Sequence, residues 1–439
     1  MGLRKTLFGL SALTTALLLS SCGSGEDKQA EKQLTPAESD MPVTLTFAFP
    51  GSGKTDELFK NRFGEQIKKK FPNYTIEYIP FADLPSFTLS LESNKALDIM
   101  ITSYPNLYAH YFDLGLESDI TSLIKKYNYD LTKLDPSAVE VQKHVGGKGG
   151  IYGLPYTNGS LVFLYNKDLF DRFGVGYPKD GNTWDETYEL ARKMTRTDSG
   201  VKYRGLLLAF EHLMGRNQLS APYFDTKTFK AVFAEPNFVR SFENLARFYK
   251  INGNELPDNK YSLGALRNFF MKDQTAAMLL DTGGNVSSTA NAMTNWDLTT
   301  FPEYADKRGV GYASYPEYAL LTKLSKNQDA AFRVLEYVTS VEYQSFQAST
   351  FATAPSIKNV DEVMKSFGSQ IKGASGKNFK AMIPKKYADI QGLTPYFNIG
   401  NSEMVAALGE YSSTDINTAI RNAAERANKK VTEELAKKK

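Results

Sequence analysis

Residues 43–70 read VTLTFAFPGSGKTDELFKNRFGEQIKKK, and the order strand, glycine loop, helix within them decides the fold class. VTLTFAF alternates apolar and polar residues as a half-buried strand does. From Asp56 the apolar residues Phe59, Phe63, Ile67 and Phe71 recur every fourth position, which places them on one face of a helix. Asp56 and Glu57 open that helix and Lys68 to Lys70 close it, as the helix macrodipole favours. The loop between, AFPGSGKT (48–55), satisfies the loose form of the phosphate-loop pattern, with Ala48 where the stricter form has glycine. A nucleotide-splitting site would also need an apolar strand ending in an acidic residue to hold magnesium, and no convincing one is found.

The chain begins MGLRKTLFGLSALTTALLLSSC, with Arg4 and Lys5 ahead of an apolar run from Leu7 to Leu19 and small residues before Cys22. That is the pattern of a secretory signal, residues 1–21, and the run is too short for a settled transmembrane helix. LSSC (19–22) resembles the bacterial lipobox, in which the cysteine is lipidated and becomes the first residue. Cys22 is the chain's single cysteine, so no disulfide framework exists and the exported fold rests on its own core. A buried core thiol inside a signal region is the poorer reading. MGLRKT also fits the short myristoylation pattern, but the apolar run that follows directs export. Loss of Arg4 and Lys5 lowers the formal net charge of +3 by two, which leaves no charge argument for nucleic acid or anionic lipid. Residues 22–42, with almost no large apolar side chains, read as a flexible tether. The expected place is the outer face of a cell membrane or the periplasm, away from cytosolic ATP, which also speaks against the nucleotide reading.

After the helix come a second strand, YTIEYIPF (74–81), an apolar or helical piece around LPSFTLSLES (84–93) and a third strand, LDIMIT (97–102). This is the rhythm of a doubly wound sheet, whose ligands sit beyond the carboxyl ends of the strands. Two loops qualify, 50–55 and 102–105. Further on, TWDE (183–186) is a capping box at the head of a helix, with Trp184 read as packing at the helix start.

Six stretches in order resemble the family 1 extracellular solute-binding proteins, the lipoprotein receptors of ABC importers, of the maltodextrin-binding type. They are FGEQIKKKFPNYTIEYI, LDIMIT, GKGGIYGLPYTNGSLVFLYNKDLF, TWDETYELARKMT, NFFMKDQTAAMLLDTGGN and KLSKNQDAAFRVLEYVTSVEYQ, between about residues 43 and 430. The resemblance implies an α/β, two-lobed, periplasmic-binding-protein-like (type II) fold with hinge crossings and a central ligand cleft. Lobe 1 is expected at 43–156 plus 316–352 and lobe 2 at 157–315 plus 353–435. The crossings are expected at LPYTNG (154–159), GYASYPEY (311–318) and FATAPS (351–356), stretches whose glycine, proline and small residues suit hinges. PGSGKT then becomes a polar loop on the cleft wall rather than a nucleotide site.

The resemblance also implies ligand-binding positions. These are Gly51, Ser52, Ser103 and Tyr104 in the first lobe; Tyr156, Thr157 and Asn158 at the first crossing; Glu211 and His212 after GLLLAF; Asp281 and Thr282 at the end of AAMLLDT; Tyr312 and Tyr315 at the second crossing; and Phe397. Such residues suit a sugar, because amides, carboxylates and hydroxyls pair with its hydroxyls and aromatic faces cover its C–H surface. Each has a plainer reading: Asp281 as a turn cap, the tyrosines as core or rim, His212 as an ordinary packed histidine.

One departure concerns tryptophan. Maltodextrin-binding relatives stack glucose on tryptophans, one of them just after the turn matching LLDTGGN, whereas here that place is Gly283, Gly284 and Asn285. Maltodextrin itself is therefore not supported, and the ligand is expected to be another saccharide, an oligosaccharide first, or a non-sugar polar solute. The partners implied are that solute, ABC permease membrane subunits and the membrane through a lipid on Cys22; the protein is expected to be a monomer without cofactor or metal. The rival reading is an exported carbohydrate-active hydrolase. Among 49 Asp and Glu no spacing singles out a catalytic pair. His110, His144 and His212 lack metal-ligand spacing, and there is no GxSxG elbow, so no catalytic residue is assigned.

Overall fold

The computed structural model describes residues 41–50, 55–79, 87–89, 91, 96–145, 149–257, 260–358, 360–373 and 375–437. Most of the expected signal, Cys22 and tether region, the loop positions Gly51 and Ser52, and most of 84–93 lie outside these residues.

Alternating and apolar runs become the strands β1 (Val43–Ala48), β2 (Tyr74–Ile79), β3 (Ile99–Ser103), β4 (Gly153–Asn158), β5 (Leu161–Asn166), β6 (Arg196–Asp198), β7 (Val201–Leu208), β8 (Ala276–Thr282), β9 (Trp296–Thr299), β10 (Val310–Ala313), β11 (Pro316–Leu321) and β12 (Lys386–Ala388). They form two five-stranded sheets, ordered β2-β1-β3-β11-β4 and β6-β7-β8-β5-β9, and a small pair β10-β12. In the first sheet β1 runs parallel to β2 and β3, while β11 lies antiparallel between β3 and β4. In the second, β7 and β8 are parallel and β5 is antiparallel to β8 and β9. The central strands β5 and β8 are buried along nearly their whole length, as their near-continuous apolar sequences require.

The apolar stripe after β1 packs as the sequence predicts: Phe59, Phe63 and Ile67 are buried, while Phe71 is partly buried at the helix end. An exact four-residue repeat drifts by about 40° per step around an ideal helix. Here a π-helical turn, Lys60–Gly64, lies between the α-helical segments Asp56–Phe59 and Glu65–Lys70, and its wider winding offsets part of that drift. Each fully buried phenylalanine contributes roughly 2–3 kcal/mol. The capping box at 183–186 is present in both directions, the Thr183 hydroxyl receiving the Glu186 N–H at 3.1 Å and the Thr183 N–H reaching Glu186 Oε2 at 2.7 Å. Trp184 is buried and its indole N–H donates to Gln218 at 2.6 Å, so it is packing at a helix start.

The chain passes from the first sheet to the second between β4 and β5, and returns at β11 after β9 of the second sheet and β10 of the small pair. The two passages lie side by side, with Gly159 N–H donating to Tyr315 O at 2.8 Å. Asn158, fully buried, ties them: its Nδ2 donates to Asp135 at 2.9 Å, and its Oδ1 accepts from Tyr315 N–H at 3.1 Å and from the Ser314 hydroxyl. The third passage falls later than the sequence suggests. Residues 353–356 run beside β4, where Ala354 O accepts from Asn158 N–H and Thr157 Oγ1, but Ile357 bridges to Leu134 and Gly368 N–H bonds to Ala348 O. The segment therefore stays with the first sheet until about Ile371. Hydrogen bonds from Lys377 Nζ to Trp296 O and from Asn378 N–H to Asp297 mark its arrival at the second. Backbone pairing, invisible in composition, displaces the crossing.

The terminal helices Phe397–Tyr411 and Ile416–Lys437 pack on each other, with Glu403 buried between them and accepting from Arg426 and Lys430, each at 2.6 Å. No helix of the described residues is long and apolar enough to cross a membrane.

Candidate functional site

A cavity of about 680 Å³ opens between the two sheets, within the range typical of small-molecule sites. Its walls are made of strand ends. From the first sheet come Ser103 at the end of β3, Thr157 near the end of β4, and Tyr315 and Glu317 at the start of β11, with Leu58 and Arg62 from the helical segments after β1. The turn after the helix Val341–Phe351 adds Phe351, Ala352 and Thr353. Facing them are Ser160 before β5, His212 and Arg216 beyond β7, and Thr282, Gly283, Gly284 and Ser287 beyond β8. Strand ends converge here because both sheets turn their loops inward, the general location of ligands in open α/β sheets.

Of the positions taken from sequence, Ser103, Thr157, His212, Thr282 and Tyr315 line this cavity. The others among the described residues stand behind the wall, with their polar ends engaged inside the protein. Tyr104 donates its hydroxyl to Gln391 O, and Tyr312 donates to Met382 O at 2.5 Å. Tyr156 gives its hydroxyl to Glu317, and Glu211 accepts from the Tyr261 hydroxyl. Asn158 is the tie between the crossings. Phe397 packs its ring 5.1 Å from Tyr223. Asp281 is fully buried, and both its oxygens accept from Arg267, at 2.7 and 2.8 Å, while Oδ1 also takes the Thr282 N–H. Its role is to fix β8 against the helix Leu263–Met271, which is neither a turn cap alone nor an open acceptor.

Three charged side chains on the cavity wall were not singled out from sequence. Arg62 donates from Nε to Gln347 at 2.8 Å and from Nη2 to Thr353 at 3.1 Å, with its guanidinium 5.7 Å from the Tyr156 ring and 5.4 Å from Phe351. Arg216 lies 4.8 Å from both the Tyr312 and the Tyr315 rings, and donates from Nε to Ala313 O at 3.3 Å and from Nη2 to Gly159 O. Glu317 lies two residues beyond Tyr315, where strand residues i and i+2 share a face, and that was the available signal. Arg62 falls four residues after Leu58 and Arg216 four after His212, the helical spacing that carries each to the cavity beside its neighbour.

Burial sets the protonation of these groups. It pushes His212 below its ordinary value, against the nearby Glu211 and Asp281, so the imidazole is neutral at pH 7. Burial, reinforced by Glu317, raises Tyr156 well above its ordinary value, so it remains a hydroxyl donor. Burial also pulls Arg216 down, but an arginine keeps its charge in proteins. The described residues gather no cluster of three His, Cys, Asp or Glu that would suit a metal ion. At Gly283 an added Cβ would meet Ser160 Oγ at 2.0 Å, so a larger residue there requires the Ser160 side chain to move.

Residues 51–345 match the model of the family described as bacterial extracellular solute-binding protein. Among solved structures, a sugar transporter from Rhizobium etli in an open conformation is similar with TM-score 0.68 at 20% identity, covering 88% of this chain and 99% of that one. An ABC substrate-binding protein from Listeria monocytogenes in complex with cycloalternan gives 0.68 at 20%, covering 89% and 99%. A solute-binding protein from Thermotoga lettingae bound with α-D-tagatose gives 0.67 at 19%, covering 88% and 99%. At such identities the likeness establishes the fold. A curated relative, the sn-glycerol-3-phosphate-binding periplasmic protein of Agrobacterium fabrum, is 28% identical over 80 residues, and that stretch spans only 18% of each chain. These are binding proteins, not enzymes. A two-sheet α/β fold with a cavity between strand ends, and a family match over residues 51–345, make this chain a member of the bacterial extracellular solute-binding protein family.

Proposed function

We propose that the protein is the substrate-binding subunit of an ABC importer, anchored to the membrane by a lipid on Cys22, and that it captures a saccharide between two lobes for delivery to a permease. One observation carries the reading: the cavity wall is drawn from both sheets, so a solute in it touches both halves at once. A ligand that contacts both halves favours whichever arrangement brings them together, by the difference of its contacts in the two states. The hydroxyls of Ser103, Thr157, Ser160, Thr282 and Ser287, with the ring of Tyr315, suit the hydroxyls and C–H face of a sugar. The cycloalternan and α-D-tagatose of the similar structures support the same class.

Two lobes follow the two sheets in this reading, with the segment up to about Ile371 assigned to the first. Purified protein is expected to show a saturable rise in melting temperature with at least one saccharide, which chromatography then recovers unaltered. No response across mono- and oligosaccharides, or release of cleavage products, contradicts the proposal. Incorporation of labelled palmitate by the wild type and its loss in Cys22→Ser tests the anchor separately.

A further inference from the structure

The cavity wall holds two guanidinium groups and one carboxylate, Arg62, Arg216 and Glu317, beside a neutral His212. Arg216 is only 3% exposed. Its Nε and Nη2 are occupied by backbone carbonyls and its faces by two tyrosine rings, while Nη1 makes no hydrogen bond with the described residues. Arg62 is held in the same manner, through Nε and Nη2, with Nη1 left over. Neither makes an ion pair with a described residue, unlike Arg267 with Asp281 or Arg426 with Glu403. Glu317 acts on both guanidiniums through its charge, so one carboxylate serves two cations. A buried cation short of negative charge is costly, and its environment is completed by an anion that also accepts its remaining N–H groups. Arg62 comes from the helical turn after β1, and Arg216 from beyond β7, beside Tyr312 and Tyr315.

Resting on the saccharide reading above, we propose that the solute is an acidic saccharide, carrying a carboxylate or a phosphate, and that Arg216 and Arg62 select it by receiving the anionic group on their Nη1 edges. Glu317 balances one of the two charges, and the ligand balances the other. Neutral sugars of the same shape leave the second guanidinium without a counter-ion and are bound less tightly.

Calorimetric titration of the purified protein with matched pairs tests this: galacturonic acid against galactose, cellobiuronic acid against cellobiose, and glucose 6-phosphate against glucose. The first two pairs report a carboxylate and the third a phosphate. The acidic member of at least one pair is expected to bind about 10- to 100-fold tighter than its neutral counterpart, the effect of one or two charge-assisted hydrogen bonds, and to weaken as salt is raised. Arg216→Gln should abolish that preference, though it also releases two backbone carbonyls. Ser287→Asp, at a part-exposed position on the wall, supplies the competing negative charge without touching them and should lose the acidic ligand equally. Neutral sugars binding as tightly as their acidic partners, or a preference that survives Ser287→Asp, overturns the inference and leaves saccharide capture standing. Failure of every member of every pair overturns both.

Discussion

Arg267 and Arg216 sit in the same half of the molecule and meet their charge in opposite ways. Arg267, on the helix Leu263–Met271, closes a bidentate pair with the fully buried Asp281 at the end of β8. Arg216, after the helix Phe210–Met214, has two carbonyls and two aromatic faces but no ion pair among the described residues. The resemblance read from the sequence implied Asp281 as a ligand position and did not single out Arg216. In the fold the partner decides: a charge paired within the protein holds structure, and one with no ion pair among the described residues is, in the proposal above, available to a solute.

That contrast can be broken most forcefully at Asp281. Asp281→Ala leaves Arg267 half-buried and uncompensated, and urea denaturation is expected to show a loss of about 3 kcal/mol. The folded protein, kept well below its melting temperature, should still bind its solute. Unchanged stability with lost binding would place Asp281 in the site and erase the distinction from Arg216.

Glu403 offers a second satisfied charge, far in sequence from β8. Burial is the largest influence on it and opposes ionisation, yet the hydrogen bonds and charges of Lys430 and Arg426 outweigh burial and hold the carboxyl below its ordinary range. A depressed carboxyl adds stability above its unfolded value, and that stability is lost as pH falls through the folded one. Glu403→Gln should therefore cost about 2 kcal/mol near neutrality, and the gap in melting temperature from the wild type should close in acid. A gap that persists at pH 3 would show that packing, not charge, is responsible.

Thr183→Ala supplies a neutral reference, since it removes a cap with no ion pair involved; a loss of about 1 kcal/mol with unchanged solute affinity is expected. The smallest effect belongs to His110, whose Nδ1 lies 2.9 Å from the Thr102 hydroxyl and which burial pushes down to about 4. The unfolded chain takes up this proton near the ordinary histidine value, the folded one only below it, so stability falls as pH drops through that interval. Between pH 7 and 6 the loss is a few tenths of a kcal/mol, discounted for solvent screening. His110→Asn should flatten that part of the melting curve, and an unaltered slope would assign it to other groups.

Much of the fold was legible because local pattern and tertiary structure agree. The apolar stripe of Phe59, Phe63 and Ile67, the strand at 43–48 and the reciprocal cap at Thr183 and Glu186 each carry their own physical reason and appear in the structure, although the strand is buried on both faces from Leu45 to Ala48 rather than on one. Glycine, proline and small residues marked the stretches around Asn158 and Tyr315, but not that they lie side by side, which the Gly159 N–H to Tyr315 O bond shows. What was not legible depends on partners distant in sequence. Asp281 meets Arg267 from a helix that precedes β8, and Tyr156 meets Glu317, 161 residues away. The third crossing moved because Ile357 and Gly368 bond back to the first sheet. Arg62 looks like one charge of a solvated helix, and only the fold shows that its π-helical turn faces the cavity. Gly51 and Ser52 lie outside the described residues.

The most direct test of solute capture between the sheets is the crystal structure of protein purified gently enough to retain its ligand. The account predicts intact saccharide density in contact with Thr157 or Ser103 on one side and Thr282 or Ser287 on the other. A ligand bound to one half alone, or seated away from this cavity, would contradict it.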